Sequence, residues 1–133
     1  MATEPKLQQK TRESANPGLQ KIALFAFTGE LTCFAHALLN AIDMQERGME
    51  VRLILEGAST GLLKDFDQPE TPFRHLFFRC VEEGLLDCVC KACSAKMGTL
   101  KIAQRMELPL NEEMSGHPSM GRYIEAGYKV ITI

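Results

Sequence analysis

The sequence has no excess of charge and no long apolar run, and these absences argue against several classes of protein. Its 15 basic and 17 acidic residues give a formal net charge of -2, so its electrostatics favour neither nucleic acid nor an anionic membrane as a partner. No apolar stretch approaches the roughly 20 residues that span a bilayer. Residues 1–18 contain no apolar segment of the kind found in secretory signals. We therefore expect a cytoplasmic protein, without nucleic-acid or membrane partners.

Two motifs that would indicate a bound cofactor or metal are also missing. Only one glycine follows the first predicted strand, in Thr28-Gly29-Glu30, so there is no Gly-rich phosphate loop and we expect no cofactor. The chain has one C-x-x-C pair, but no second such pair and no H-x-x-x-H pair of the kind that usually completes a structural zinc site.

What the chain does have is a cluster of cysteines. Three of its five cysteines lie in one C-x-C-x-x-C run, Cys88, Cys90 and Cys93. An odd, clustered set in a chain of 133 residues is more typical of catalytic, redox or metal-binding cysteines than of a disulfide framework.

The length fits one domain, and the pattern of apolar residues predicts its class. Residues 1–18 read as a mobile tail ending in Asn16-Pro17-Gly18, and residues 19–133 as a single domain. Short apolar runs alternate with segments of helical periodicity, which predicts a three-layer α/β/α domain with a mostly parallel sheet of about five strands. The predicted strands are 21–27, 50–56, 85–90, 107–110 and 128–133; the predicted helices are 31–47, 58–66, 73–84, 91–106 and 119–126.

The predicted sheet also indicates where a site should lie. Ligands of open α/β sheets bind beyond the carboxyl ends of the strands. The loops expected there are 28–30, 56–58, 88–93 and 111–118. They supply the residues that we predict to line a substrate pocket: Gly29, Glu30, Gly57, Lys91 and His117.

Cys90 is the predicted nucleophile of this site. It ends the third predicted strand and begins a helix, where backbone N–H groups, the helix dipole and the neighbouring Lys91 are expected to lower the thiol pKa. Cys93, one helical turn later, could act as a resolving partner. His117 could hydrogen-bond or protonate a sulfur leaving group.

Two other interpretations of the cysteines stay open. Cys88, Cys90 and Cys93 could bind zinc as three thiolates, with His117 as the fourth ligand. Alternatively, the cysteines could pack as small apolar side chains. Cys80 fits the inner stripe of its predicted helix and is expected to lie in the core.

The chain resembles the DsrE/DsrF-like family of small α/β proteins from about Lys21 to Ile133. The resemblance is best at Cys90-Lys-Ala-Cys-Ser-Ala-Lys-Met-Gly98, where a cysteine at the end of the third strand is followed by a turn of small residues and a glycine. The segments 34–40, 116–120 and 127–131 are similar to a cysteine-rich, largely uncharacterised branch of that family.

The resemblance also implies a function, which the composition alone does not indicate. Members of the sulfur-relay type carry a persulfide on the cysteine at the position of Cys90, so it implies a sulfur carrier that exchanges sulfur with donor and acceptor proteins. It also implies a homo-oligomer, a trimer or a hexamer. The relay proteins have a small apolar residue where this chain has Cys93, and Cys88 is an additional thiol. Two-cysteine redox chemistry is therefore the alternative.

Overall fold

The computed structural model describes residues 19–133. The tail predicted for residues 1–18 lies outside the described residues. Five strands alternate with helical segments along the chain. The strands are β1 (Lys21–Ala26), β2 (Glu50–Leu55), β3 (Leu86–Cys90), β4 (Leu110–Asn111) and β5 (Lys129–Thr132). The helices are α1 (Leu31–Glu46), a 3-10 helix (Gly57–Leu62), α2 (Leu63–Phe66), α3 (Arg74–Glu82), α4 (Lys91–Lys96), α5 (Leu100–Arg105) and α6 (Met120–Glu125).

The five strands form one parallel sheet in the order β4-β3-β2-β1-β5. The chain steps in one direction from β1 to β4 and then reverses, so that β5 lies beside β1. Because crossovers between parallel strands are right-handed, this reversal puts the last helix, α6, on the opposite face of the sheet from α1 and α3. The predicted three-layer α/β/α class is confirmed.

The core lies mainly on one side of the sheet. On that side Phe34 and Leu38 of α1 and Phe77 of α3 are completely buried against Leu53 and Val89 of the strands. Phe77 stacks on Phe66 of α2, with ring centroids 4.6 Å apart. Burying a side chain of this size stabilises the fold by about 1.5–3 kcal/mol. Cys80 is also completely buried here, as its helical position predicted.

The other face of the sheet has a smaller cluster beneath α6. Its centre is Phe25 and Tyr123, whose rings meet edge to face with centroids 5.5 Å apart. Ala23, Ile54 and Cys88 complete its buried part. Tyr123 thus attaches α6 to the sheet.

The prediction of one continuous helix over residues 91–106 is wrong, because the structure has a break in the middle of this segment. The structure ends α4 at Lys96 and begins α5 at Leu100. Gly98 has a positive φ of 77°, and the buried Thr99 hydroxyl donates to the Thr60 carbonyl, 2.9 Å away. Ser94 is the buried residue of α4, whereas α5 places Ala103 in the core with Ile102 packed against it. β4 is shorter than predicted and begins at Leu110.

The longest described helix, α1, has 16 residues, and across residues 19–133 no helix combines the length and apolar character that crossing a membrane requires.

Candidate functional site

Three separate loops bring four reactive side chains together at the carboxyl edge, the edge of the sheet where the parallel strands end. Glu56 follows β2, Cys90 and Cys93 lie at the β3–α4 junction, and His117 comes from the loop between β4 and α6. One donor atom from each of the four lies within 4.8 Å of all the others. We call this group the four-residue centre.

Cys90 is held at the junction as the N-cap of α4. Its Sγ accepts the backbone N–H of Cys93 across 3.4 Å, and its thiol can donate to the Gly116 carbonyl, 3.6 Å away. The Sγ also lies 3.0 Å from Nδ1 of His117. Cys90 is completely buried, so its sulfur has no direct contact with solvent.

Cys93 lies one turn further along α4 and is half-buried. Its thiol donates to Oε1 of Glu56 across 3.5 Å, and its Sγ lies 3.6 Å from Nδ1 of His117. Cys93 therefore bridges the buried carboxylate and the imidazole.

Glu56 is a buried carboxylate, with 7% of its surface exposed. Its Oε1 accepts the Cys93 S–H and lies 3.6 Å from Nδ1 of His117. A thiol is a weak hydrogen-bond donor. A carboxylate buried among such partners gains little to offset its lost hydration unless a cation is close.

The loop that carries His117 is fixed by backbone contacts. The Ala92 N–H donates to the Gly116 carbonyl, 3.0 Å away, and Gly116 has a positive φ of 97°. A Cβ at position 116 would lie 2.9 Å from the Ala92 Cβ. Met114 and His117 form an isolated antiparallel bridge. His117, with 39% of its side chain exposed, is thus presented to the centre from a tight turn.

Electrostatics at Cys90 differ from the prediction. Burial raises the pKa of its thiol well above the ordinary range, and the Cys93 amide N–H opposes that rise only in part. The Cys93 side chain and the Glu56 carboxylate raise the Cys90 pKa further. The expected lowering by the helix dipole is overridden, because α4 has only six residues and the sulfur is desolvated. A bound cation would reverse this, since a coordinating thiol is deprotonated outright.

The spacing of the donors suits a metal ion. Zinc bonds sulfur at about 2.3 Å and nitrogen or oxygen at about 2.0–2.2 Å, so ligands at tetrahedral corners lie about 3.3–3.8 Å apart. The donor atoms of Cys93, His117 and Glu56 lie 3.5–3.6 Å apart, and the Cys90 sulfur lies 3.0 Å from the His117 nitrogen. Two sulfurs, one nitrogen and one carboxylate oxygen form a donor set that zinc uses in proteins.

Of the other residues predicted for the site, Cys88 lies apart from the centre. Its Sγ is 3.5 Å from the Tyr123 hydroxyl oxygen, in the cluster beneath α6. Burial raises the pKa of Cys88 to about 11. The structure thus assembles Cys90, Cys93 and His117 from the predicted zinc ligands, and it adds Glu56 where the sequence suggested Cys88.

The residues predicted to line a pocket take mainly structural positions. Glu30 is the N-cap of α1 and accepts the amides of Thr32 and Cys33. Gly29 lets its loop approach Ala58, since a Cβ there would lie 2.8 Å from the Ala58 Cβ. Gly57, with a φ of 57°, turns the chain directly after Glu56.

Lys91 pairs with the loop that carries His117. Its Nζ lies 3.3 Å from Oε2 of Glu112 in an exposed ion pair. It therefore helps to hold that loop.

The prediction of site residues missed Glu56. A signal was available: an acidic residue directly follows the apolar run 53–55 and precedes a glycine. Such a residue at the end of a buried strand is placed at the carboxyl edge by the fold itself.

Fold and site together define a small three-layer α/β protein with a partly buried Cys-Cys-His-Glu centre. The chain is 30% identical over 122 residues to the uncharacterised protein MJ0733 of Methanocaldococcus jannaschii, covering 98% of that protein and 87% of this chain. It belongs to the same family as that protein.

Two further proteins are similar to this chain, one of them in structure. A segment of 41 residues is 42% identical to an uncharacterised protein of Archaeoglobus fulgidus and covers 67% of it. The structure of a conserved protein of unknown function, BT1422 from Bacteroides thetaiotaomicron, is similar with a TM-score of 0.67 and 20% identity over 86% of this chain and 95% of that one. No family model matches the chain.

Proposed function

We propose that the protein binds a thiophilic divalent metal ion, with zinc as the best fit, through Glu56, Cys90, Cys93 and His117. The observation that carries this proposal is the convergence of four donor atoms within 4.8 Å of one another. Zinc prefers such mixed sulfur, nitrogen and oxygen sets, and a divalent cation stabilises the thiolates and the carboxylate together.

Burial supports the same assignment. Glu56 and Cys90 are desolvated groups that repel each other when both are ionised. Without a cation the site resolves this conflict by keeping the Cys90 thiol protonated, which weakens it as a nucleophile. With a cation both anions become favourable ligands.

The experiment is metal analysis of protein purified without chelator, followed by zinc titration of reduced protein. We expect about one equivalent of zinc, and at least about a tenfold loss of affinity in Glu56→Gln, Cys90→Ser and Cys93→Ser. Cys88→Ser is the matched control, because Cys88 is a buried cysteine outside the centre. Unchanged affinity in the first three variants, or an equal loss in Cys88→Ser, would contradict the proposal.

Sulfur carriage on Cys90 is our second candidate function, and it rests on the resemblance to the DsrE/DsrF-like family. The observation that favours it is that the Cys93 N–H and the His117 ring nitrogen both face the Cys90 sulfur, where they could stabilise an anionic outer sulfur. Mass spectrometry after incubation with a sulfane-sulfur donor should then show added sulfur on Cys90. Wild-type behaviour of Cys90→Ser would remove this candidate.

Together with sulfur carriage, we propose a homo-oligomer and a cytoplasmic location. The resemblance suggests a trimer or a hexamer, and exposed apolar side chains such as Phe27 and Met114 offer contacts to a second copy. Light scattering coupled to size-exclusion chromatography measures the mass in solution, and a monomer at all concentrations would exclude the trimer and hexamer.

A further inference from the structure

The two sulfurs of the four-residue centre differ in their access to solvent. Cys93 is half-buried, whereas no surface of Cys90 is exposed. Their Sγ atoms lie within 4.8 Å of each other, and the Cys93 N–H donates to the Cys90 sulfur. Cysteines in a C-x-x-C pair at a helix N-terminus are placed to form a disulfide with small side-chain rotations.

We propose that this pair also acts as a dithiol that exchanges with low-molecular-weight disulfides, with Cys93 attacking and Cys90 resolving. This activity goes beyond metal binding and uses the same two sulfurs, so each state excludes the other. Burial sets the order in which the two cysteines react. An incoming disulfide can reach the half-buried Cys93, and the buried Cys90 attacks only after the substrate sulfur is attached to Cys93.

The first step joins Cys93 to the substrate. The Cys93 thiol gives up its proton, and its sulfur attacks one sulfur of a disulfide R–S–S–R'. The new Cys93–S–S–R bond forms as the S–S bond of the substrate breaks, and the leaving thiolate R'S⁻ takes up a proton. Glu56 orients the attacking group, because its Oε1 accepts the Cys93 S–H.

The second step closes the protein disulfide. The Cys90 sulfur attacks Sγ of Cys93, its proton leaves, and RS⁻ departs and is protonated. In total, two protein thiols and one disulfide become one protein disulfide and two small thiols. The pair loses two electrons and the substrate gains them.

The exposed part of the His117 imidazole supports an approach of the substrate disulfide from the His117 side of Cys93. His117 keeps 39% of its side chain exposed, and its Nδ1 lies 3.6 Å from Sγ of Cys93. A disulfide that reaches Cys93 therefore approaches beside the imidazole of His117.

The test uses oxidised glutathione and mass spectrometry on protein treated with chelator. All chains carry Cys33→Ser, because Cys33 is an exposed thiol outside the centre. We expect a Cys90–Cys93 disulfide in the parent chain and a persistent glutathione adduct on Cys93 in Cys90→Ser. We expect Cys93→Ser to react at least about tenfold more slowly. Adduct formation on Cys90 in Cys93→Ser at the rate seen for Cys90→Ser, or no Cys90–Cys93 disulfide in the parent chain, would overturn the proposal.

Peptide mapping of the parent chain at early times does not depend on how the variants fold. Glutathione found first on Cys93 supports the order, and glutathione found first on Cys90 overturns it.

A comparison of zinc-loaded and chelator-treated protein distinguishes disulfide exchange from the proposed metal binding. We expect bound zinc to slow the exchange at least about tenfold, since coordination occupies both sulfurs. Zinc binding without any exchange in the chelated protein would refute the dithiol activity alone. Exchange in a protein that fails to bind zinc would refute metal binding alone.

Discussion

The Sγ of Cys90 lies 3.0 Å from Nδ1 of His117, although 27 positions separate the two residues. The contact exists because the chain reverses direction after β4 and crosses the end of β3 on its way to α6. A thiol and an imidazole at this distance can share a proton or a metal ion.

Removing the imidazole should weaken zinc binding. We expect His117→Ala to lose at least about tenfold in zinc affinity, because one of four ligands is deleted. His75→Ala provides the control, since His75 is an exposed histidine on α3 and should bind zinc as the parent does. Competition titration with a chromophoric chelator measures both. Equal affinities of His117→Ala and the parent chain would exclude the imidazole as a ligand.

Zinc should also stabilise the folded chain. A ligand at about 100 times its Kd adds about 2.7 kcal/mol to the free energy of unfolding if it binds only the native state. For a chain of this length that corresponds to a rise of roughly 10 °C in Tm. Thermal unfolding of reduced protein with zinc and with chelator tests this, and Tm values that coincide would show that zinc does not bind the native centre.

Substitution of Gly116 should reduce zinc affinity more than substitution of other glycines with positive φ. Gly116→Ala would strain the backbone at a φ of 97° and bring a Cβ to 2.9 Å from Ala92. We expect it to cost about 1–3 kcal/mol and to reduce zinc affinity by moving His117.

Gly98→Ala is the matched control for that substitution. It adds a Cβ at a φ of 77°, where nothing lies within 4 Å. It should therefore lower stability, as urea denaturation measures it, while leaving zinc affinity unchanged. A loss of zinc affinity in Gly98→Ala equal to that in Gly116→Ala would show that the Ala92 contact does not position His117.

The buried thiol of Cys80 predicts a stability that falls at alkaline pH. Burial raises the pKa of Cys80 to about 12 in the folded chain, whereas an exposed cysteine has a pKa of about 8.5. Above that ordinary value the unfolded chain loses a proton that the folded chain keeps, so the free energy of unfolding decreases as pH rises toward 12.

The size of this effect can be measured with one variant. A full proton of difference gives a slope of about 1.4 kcal/mol per pH unit, and Cys80→Ala should remove that contribution. Urea denaturation between pH 8 and 10, with chelator present, gives the slopes. Slopes that agree for the parent chain and Cys80→Ala would contradict the assignment.

The sequence by itself determined the class of fold and the position of Cys90. Continuous apolar runs such as 22–27 indicate strands buried on both faces, and the apolar stripe of α1 indicates a helix packed on one of those faces. Both signals are local, because burial selects apolar residues at the period of each element. The same locality places Cys90 where a strand meets a helix.

Only the tertiary structure decided which residues join Cys90. The strand order and the reversal after β4 bring His117 over the end of β3, and neither can be read from periodicity. Glu56 enters the centre because β2 ends beside β3, while the Cys88 side chain packs against Tyr123 instead. Burial of Cys90, which raises its pKa against the expectation from helix position, is likewise a property of packing between distant segments. The chemistry of a cysteine depends on its surroundings, and distant parts of the chain supply them here.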